Sequence, residues 1–364
     1  MRILNIMQGT HIGGTEKSSF ALMTHIKEFG NEFFVLSLSE MGSLSHYLDE
    51  AGICYKGFSY QGIGGWKSFF KYRSQIKMSS ADAIMMTGHS LIGMLAIGLR
   101  LRQKSCLFIH FHHTGVKRKW QWKLIYLIAN TIFEKIYFAS DFILQEALEI
   151  YPRISAKSLY MPNPLPSKKL IPDIERRKYR KKFKFEDNDI VIGNAGWLIK
   201  RKRFDVFLTT CARLKEKNHN IKILIAGEGE EKESLLTLSK KLGIEDDITW
   251  LGWVGDLTSF HNSIDFMLFN SDWDSVGLSP LEAIQRGIPT FSSVINGGLK
   301  EILTDNFSIF LQDNHEIEEL ANKIHYAIEN KNEIMDLTLK CRDHINQLSD
   351  PNIIAKKVLN SLTN

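Results

Sequence analysis

The densest chemistry in this 364-residue chain lies in Asp265–Ala283, DFMLFNSDWDSVGLSPLEA. An apolar run leads into a polar loop, and Asp274 and Glu282 stand eight residues apart across the junction of that loop with a helix. Carboxylates accept hydrogen bonds from sugar hydroxyls, whereas Gly277 and the amides of Leu278 and Ser279 suit a phosphate at a helix start. Pro280 and Glu282 fit the first turn of that helix. Upstream, Gly193–Asp205 (GNAGWLIKRKRFD) ends a strand and opens a basic helix, with four consecutive cations, Lys200 to Arg203, able to neutralise a diphosphate. Gly227-Glu-Gly229 is the glycine exit of another strand. Near the N-terminus Gly13-Gly14 follows a strand and precedes a helix, a weaker signal without the G-x-G-x-x-G spacing of a dinucleotide site.

These residues need a scaffold that ends many strands on one edge. Arg2–Met7, Phe33–Leu38, Ala83–Met86 and Leu107–Phe111 read as strands, with a helix pattern over Lys17–Phe29. The rhythm resumes at Ile190–Asn194, Lys222–Ala226, Ile248–Leu251, Asp265–Phe269 and Thr290–Ser292. Alternation of strands and helices predicts βαβ units and parallel sheets, here twice over. The expected fold class is therefore α/β with two doubly wound Rossmann-like domains. The prolines of Met161–Pro166 mark a boundary, giving a domain over 1–166, joined by a last helix in 351–364 that starts at Pro351, and a second domain over 167–350.

Composition narrows the function classes. Hydrophobic residues make up 44% and charged residues 24%, which excludes a disordered or collagen-like chain. The four cysteines lie far apart with no C-x-x-C pair, which argues against a disulfide framework and fits a reducing compartment. No apolar run reaches the ~18 residues of a spanning helix, and the N-terminal run is short for a signal peptide, so a cytoplasmic protein is expected. Residues 1–165 carry 18 Lys/Arg against 11 Asp/Glu, and residues 166–364 carry 28 against 30. A basic first half points to an anionic partner: a membrane surface, a phosphorylated acceptor or nucleic acid. The basic residues form no recognisable nucleic-acid reader, so no nucleic-acid partner is expected. The run Glu175–Phe185 reads as the solvated face of a short helix. Lys117–Trp122, leading into Leu124–Phe138, reads equally as a packed helix with a basic start or as one lying on a membrane through Trp120, Trp122 and Tyr126.

Asp274…Glu282, followed by Arg286-Gly-Ile-Pro289 and Asn296-Gly-Gly-Leu-Lys-Glu301, resembles the signature of retaining GT-B glycosyltransferases, close to family 4 (glycosyl transferases group 1). The resemblance extends over nearly the whole chain, through Gly13-Gly14, Asn163, Gly196…Lys202 and Gly227-Glu-Gly229. It implies two domains facing a cleft and a transferase moving a hexosyl or N-acetylhexosaminyl group from a UDP- or GDP-linked sugar. The acceptor it implies is a saccharide, often lipid-linked, in bacterial surface polysaccharide biosynthesis, with attachment at the inner face of the membrane compatible. No cofactor and no metal are implied, and Asp272-Trp-Asp274, formally a D-x-D, is read as part of the donor segment. By the same resemblance Glu282 would bind the ribose, Asp274 the sugar hydroxyls, and Lys202 the diphosphate. Gly277, Leu278 and Ser279 would lie near sugar and diphosphate, Gly227 in the donor site, Glu301 under the closing loop, and Gly13-Gly14 beside the donor phosphates. A histidine at a first-domain strand end is also implied; His112 and His113 both fit, and His89 is a weaker match.

The chain departs from the pattern twice. Asp274 stands where the family has Glu, and Trp197 stands where the family pairs an Arg with the Lys. The second departure removes a charge-assisted bond of about 1.5–3 kcal/mol. Arg203 is expected to compensate, with Arg201 the alternative. The rival readings are a sugar-nucleotide epimerase or hydrolase of the same fold, and, because of Trp197, a non-catalytic sugar-nucleotide-binding protein.

Overall fold

The computed structural model describes residues 1–58, 66–98, 107–111, 117–217, 220–293, 296–303, 305–313 and 315–363. The chain divides into two compact units, residues 1–166 with 349–364, and residues 167–348.

The first unit runs β1 (Arg2–Met7), α1 (Gly14–Glu28), β2 (Glu32–Ser37), α2 (Leu44–Glu50), β3 (Cys54–Gly57), α3 (Trp66–Met78), β4 (Ala83–Thr87), α4 (Leu91–Gly98), β5 (Leu107–Phe111), α5 (Lys119–Ile132), β6 (Lys135–Phe138), α6 (Asp141–Ile150) and β7 (Ser158–Tyr160). Its strands pair in the order β3-β2-β1-β4-β5-β6-β7, every pair parallel. Burial on both faces explains why these strands are near-continuous apolar runs rather than alternating ones. Helices α3 to α6 cover one face through Tyr72, Met94, Trp122, Tyr126 and Ile143. Helix α1 covers the other through Leu22, Met23 and Ile26.

The second unit runs α7 (Asp173–Lys182), β8 (Ile190–Ala195), α8 (Phe204–Glu216), β9 (Ile221–Ala226), α9 (Lys232–Lys241), β10 (Ile248–Trp250), α10 (Thr258–His261), β11 (Phe266–Phe269), β12 (Trp273–Asp274), α11 (Leu278–Gln285), β13 (Thr290–Ser293), β14 (Asn296–Gly297), α12 (Gly298–Ile302), β15 (Leu311–Gln312), α13 (Ile317–Glu329) and α14 (Lys331–Leu348). The sheet order is β10-β9-β8-β11-β13-β15, with β12 and β14 forming a separate two-stranded ladder. A last helix, α15 (Pro351–Thr363), returns to the first unit, where Ile354, Ala355 and Val358 join the α1 side of the core.

Both sheets are the doubly wound α/β arrangement that the strand–helix rhythm predicts. In each, the order reverses beside the first strand, β1 or β8, and ligands of such sheets bind at the carboxyl edge near that reversal.

Several local expectations need correction. The stretch Leu124–Phe138 is not one element but the end of α5 and then β6, with the break at Phe133-Glu134. Trp122 and Tyr126 are fully buried and stacked on each other, so of the three aromatics offered for membrane contact only Trp120 is exposed. The basic run over Glu175–Phe185 forms α7, but two of its cations are anchors rather than solvated charges. Buried Arg180 donates to Asp265 Oδ2 at 2.8 Å and to the Asp189 carbonyl at 2.7 Å, and Arg176 also pairs with Asp265. Asp265 in turn accepts the Val191 amide, tying α7 to the foot of β8.

Candidate functional site

The site is built at the carboxyl edge of the second sheet, around the exits of β8, β9 and β11. Chain crossings there are so tight that only glycine fits. A Cβ on Gly227 would sit 1.9 Å from the Gly196 carbonyl oxygen, and one on Gly297 would sit 1.9 Å from that of Asp274. The first crossing fastens the β9 exit to the β8 exit, and the Gly227 amide donates to the Gly252 carbonyl at 2.7 Å. The second is the β12–β14 ladder, in which Asp274 lies opposite Gly297. The sequence showed Gly297 only as part of a motif; the ladder itself is too short to leave a period.

After β8 the cations do not open a helix, as the sequence suggested. Lys200–Lys202 make a separate 3-10 turn, and Arg203, at φ 48°, caps α8 in the left-handed region. This turn aims the three side chains differently. Lys202, only 11% exposed, pairs with Asp274 Oδ2, and its ammonium lies 4.8 Å from the centre of the Phe269 ring. Burial pushes the Lys202 ammonium below the ordinary lysine range, and Arg201 adds to the shift while Asp274 opposes it. Arg201 stacks 4.3 Å over the Trp273 ring, donates to the Trp273 carbonyl at 3.0 Å and lies 3.8 Å from Asp274 Oδ2. Arg203 turns away, to Asp205 at 3.0 Å and Asp272 at 3.1 Å. Arg201 is thus the second cation beside Lys202 and Asp274, whereas Arg203, expected to compensate for Trp197, pairs with Asp205 and Asp272. Trp197 packs against Trp253 with ring centroids 4.4 Å apart, both rings half exposed.

Helix α11 supplies the opposite wall. Its N-cap, Gly277, has φ 77°, a left-handed conformation that glycine adopts without strain. The Ser279 hydroxyl donates to the Ala195 carbonyl at 3.1 Å, fastening the start of α11 to the end of β8. Leu278 is the first residue of the helix, Pro280 lies in its first turn, and buried Glu282 lies in its second, one turn later than the spacing suggested. Asp274 Oδ1 accepts the Ser275 amide at 3.0 Å, and the Ser275 carbonyl accepts the Gly298 amide at 2.9 Å. That bond connects the donor segment to α12, which carries partly buried Glu301.

The second unit thus brings together Lys202, Arg201, Asp274, Gly277, Leu278 and Ser279, with Arg203 at the margin and Gly227 in the adjoining crossing. Gly13 and Gly14 belong to the first unit. Gly13 is the N-cap of α1, and its amide donates to Glu16 Oε2 at 3.0 Å. Burial raises the Glu16 carboxyl above its ordinary range, an effect that its backbone hydrogen bonds oppose. His112 and His113 lie outside the described residues. His89 packs its ring against Trp122 at 5.2 Å.

A cluster of cations and a glycine-capped helix start at one sheet edge can hold an anion, and the adjacent carboxylates can hold hydroxyls. Comparison with known proteins bears on the fold and the family. Residues 175–343 match the family model of glycosyl transferases group 1, which covers nearly all of the second unit. The chain is 22% identical over 342 residues to an uncharacterized glycosyltransferase of Haemophilus influenzae, covering 93% of each chain. It is 32% identical over 117 residues to the O-antigen biosynthesis glycosyltransferase WclY of Escherichia coli, 32% of each chain. The crystal structure of Anabaena Alr3699/HepE in complex with UDP and glucose superposes with a TM-score of 0.86 at 18% identity, covering 100% of this chain and 99% of that one. The second unit thus carries the glycosyl transferases group 1 match, and the chain as a whole has the GT-B fold of the glycosyltransferases it superposes on.

Proposed function

We propose that this glycosyltransferase is a metal-independent, retaining enzyme that moves a hexosyl or N-acetylhexosaminyl group from a nucleoside diphosphate sugar to a saccharide acceptor. The acceptor we assign is lipid-linked, and the pathway is bacterial surface polysaccharide biosynthesis. The observation that carries the reading is Lys202, nearly buried against Asp274 with Arg201 beside it, next to the start of α11. In this reading Lys202, Arg201 and the amides of Leu278 and Ser279 stabilise the charge that develops on the departing diphosphate. Asp274 and Glu282 hold sugar and ribose hydroxyls. The bond from the anomeric carbon to the diphosphate oxygen breaks as the acceptor oxygen attacks from the same face. The acceptor's proton passes to the leaving phosphate oxygen, so no side chain acts as a nucleophile.

Metal independence is supported by the partners of the D-x-D carboxylates: Asp272 is paired with Arg203 and Asp274 with Lys202, so both charges are already balanced. Both UDP- and GDP-linked sugars are candidate donors, and UDP is favoured by the ligands of the Anabaena structure. The relative named for O-antigen biosynthesis supports the polysaccharide setting. The test is turnover with a nucleotide-sugar panel in EDTA, with the anomeric configuration of the product read by NMR. Retained configuration and EDTA resistance are expected, together with loss of turnover in Lys202→Ala and Glu282→Ala. Near-normal turnover by either folded variant would sink the site assignment.

A further inference from the structure

Arg201, Lys202 and Arg203 follow one another in the turn after β8, yet they are held in different ways. Lys202 lies against the Asp274 carboxylate, and Arg203 pairs with Asp205 at 3.0 Å and with Asp272 at 3.1 Å. The carboxylate paired with Arg201 is again that of Asp274, at 3.8 Å, with Lys202 already in contact with it. What fixes Arg201 is Trp273. The guanidinium stacks 4.3 Å over the Trp273 ring and donates to the Trp273 carbonyl at 3.0 Å. The two segments are joined a third time where the Arg201 carbonyl accepts the Asp272 amide at 2.7 Å. Trp273 is itself anchored, partly buried and set opposite Asn296 in the β12–β14 ladder.

The kind of partner decides how much charge is left for a ligand. A carboxylate that orients a cation also cancels it. An aromatic face orients a guanidinium through its quadrupole and has no net charge. The Trp273 carbonyl adds a second fixed point and takes one of the five N–H donors of the fork. A long arginine side chain loses rotamer freedom when it meets a ligand, and stacking makes that loss before the ligand arrives. Of the three cations, Arg201 is therefore the one that is aimed with its charge least offset.

We propose that Trp273 is a positioning residue for glycosyl transfer, its ring and carbonyl aiming the Arg201 guanidinium at the diphosphate of the nucleotide sugar. The proposal rests on the reading of this sheet edge as the donor site, and it names the residue that makes the second cation of that site effective. Trp197 has no charge to offer, and its ring is taken up by Trp253 at 4.4 Å. The charge missing at position 197 thus comes from position 201, held by the ring at position 273. It acts on the leaving group, where negative charge grows as the bond to the anomeric carbon breaks. Its effect belongs more to turnover than to donor binding.

The experiment is a double-mutant cycle in the full chain between Trp273→Leu and Arg201→Gln. Steady-state kinetics on UDP-glucose, UDP-N-acetylglucosamine and GDP-mannose is paired with titration calorimetry of UDP and GDP. Trp273→Leu should lower kcat by roughly fivefold to thirtyfold, the range of a partly desolvated cation–π contact, with a smaller change in KM. Once Arg201 is Gln, the same substitution should change kcat by less than about twofold, because a ring that acts through Arg201 has nothing left to aim. Trp273→Phe keeps an aromatic face and should recover most of the lost rate. Arg201→Lys keeps the charge but not the planar fork, and should behave like Trp273→Leu. Should Trp273→Leu fail to fold, Trp273→Phe and Arg201→Lys still decide the matter by these expectations. Additive losses in the cycle, or wild-type turnover by Trp273→Leu or Arg201→Lys, would overturn the proposal while loss of turnover in Lys202→Ala upholds the donor site. Normal turnover in Lys202→Ala, or no nucleotide binding by the folded wild type, would overturn the donor site and this inference with it.

Discussion

The two units place the same joint, first strand to loop to helix, at the same point of the same topology, and fill it with opposite chemistry. In the first unit the joint after β1 ends at Gly13, whose amide is already bonded to the Glu16 carboxylate of the same helix. Beneath it the polar groups are neutral: Asn5 donates to Ser19 at 3.0 Å, and Thr87 donates to Asn5 at 3.2 Å. In the second unit the joint after β8 carries Lys200–Lys202 and sets Lys202 against Asp274. A doubly wound sheet thus supplies an edge, and the loop residues decide whether that edge attracts an anion.

The contrast is broken most directly at Lys202. Replacing it by Ala should lower turnover by about 10²–10³-fold or more, the range for removing one preorganised donor to developing charge. Steady-state kinetics with the preferred donor gives the number. The same measurement on Glu16→Ala should show turnover largely kept.

Glycine substitutions sharpen the contrast next. Gly227→Ala drives a Cβ against the Gly196 backbone and should cost about 3 kcal/mol or more in denaturant unfolding of the second unit. At Gly13 the nearest obstacle is the Glu16 carboxylate oxygen at 3.0 Å, the end of a flexible side chain, and φ is −136°. Gly13→Ala should therefore shift stability by less than about 1 kcal/mol.

The lowered Lys202 pKa gives a pH signature with two signs. Its charged form is the one that holds a diphosphate, so nucleotide affinity should be intact below the folded-state pKa. Affinity should then fall as pH rises through that value, before the 10.5 of an ordinary lysine. Stability should move the other way over the same window, because there the unfolded chain binds the proton more tightly than the folded one. Lys202→Arg should remove the alkaline loss of affinity. Titration calorimetry and thermal unfolding across pH 7 to 11 check both arms.

The smallest effect is expected at Ser279. Losing its bond to the Ala195 carbonyl should cost about 1 kcal/mol and loosen the start of α11, read as a modest rise in donor Kd.

Much of this was legible in the residues. The α/β class followed from apolar runs spaced by amphipathic stretches, and several strands, such as Arg2–Met7 and Leu107–Phe111, fell where expected. Short strands such as β7, three residues long, and β6, four residues long and only two residues beyond α5, left no periodic trace. Within the site, residue types and spacing pointed to Lys202, Asp274 and Gly277 because glycine, charge and helix-start signals are local. The directions of Arg201 and Arg203 were not legible, because the 3-10 turn and the left-handed Arg203 that aim them depend on tertiary contacts with Trp273 and Asp272. The Trp197–Trp253 pairing joins residues 56 positions apart, and the burial of Arg180 depends on Asp265, 85 positions away. Neither distance leaves a mark in one sequence.

The central claim is that the second unit's sheet edge is the nucleotide-sugar site and needs no metal. It is tested most directly by titration calorimetry of UDP, GDP and their sugars in EDTA, with wild type, Glu282→Ala and Lys202→Ala compared and folding checked by circular dichroism. The account predicts selective binding of one nucleotide by the wild type, retained in EDTA and lost in both variants. Binding of no nucleotide by the folded wild type, or equal binding by wild type and both variants, would contradict it.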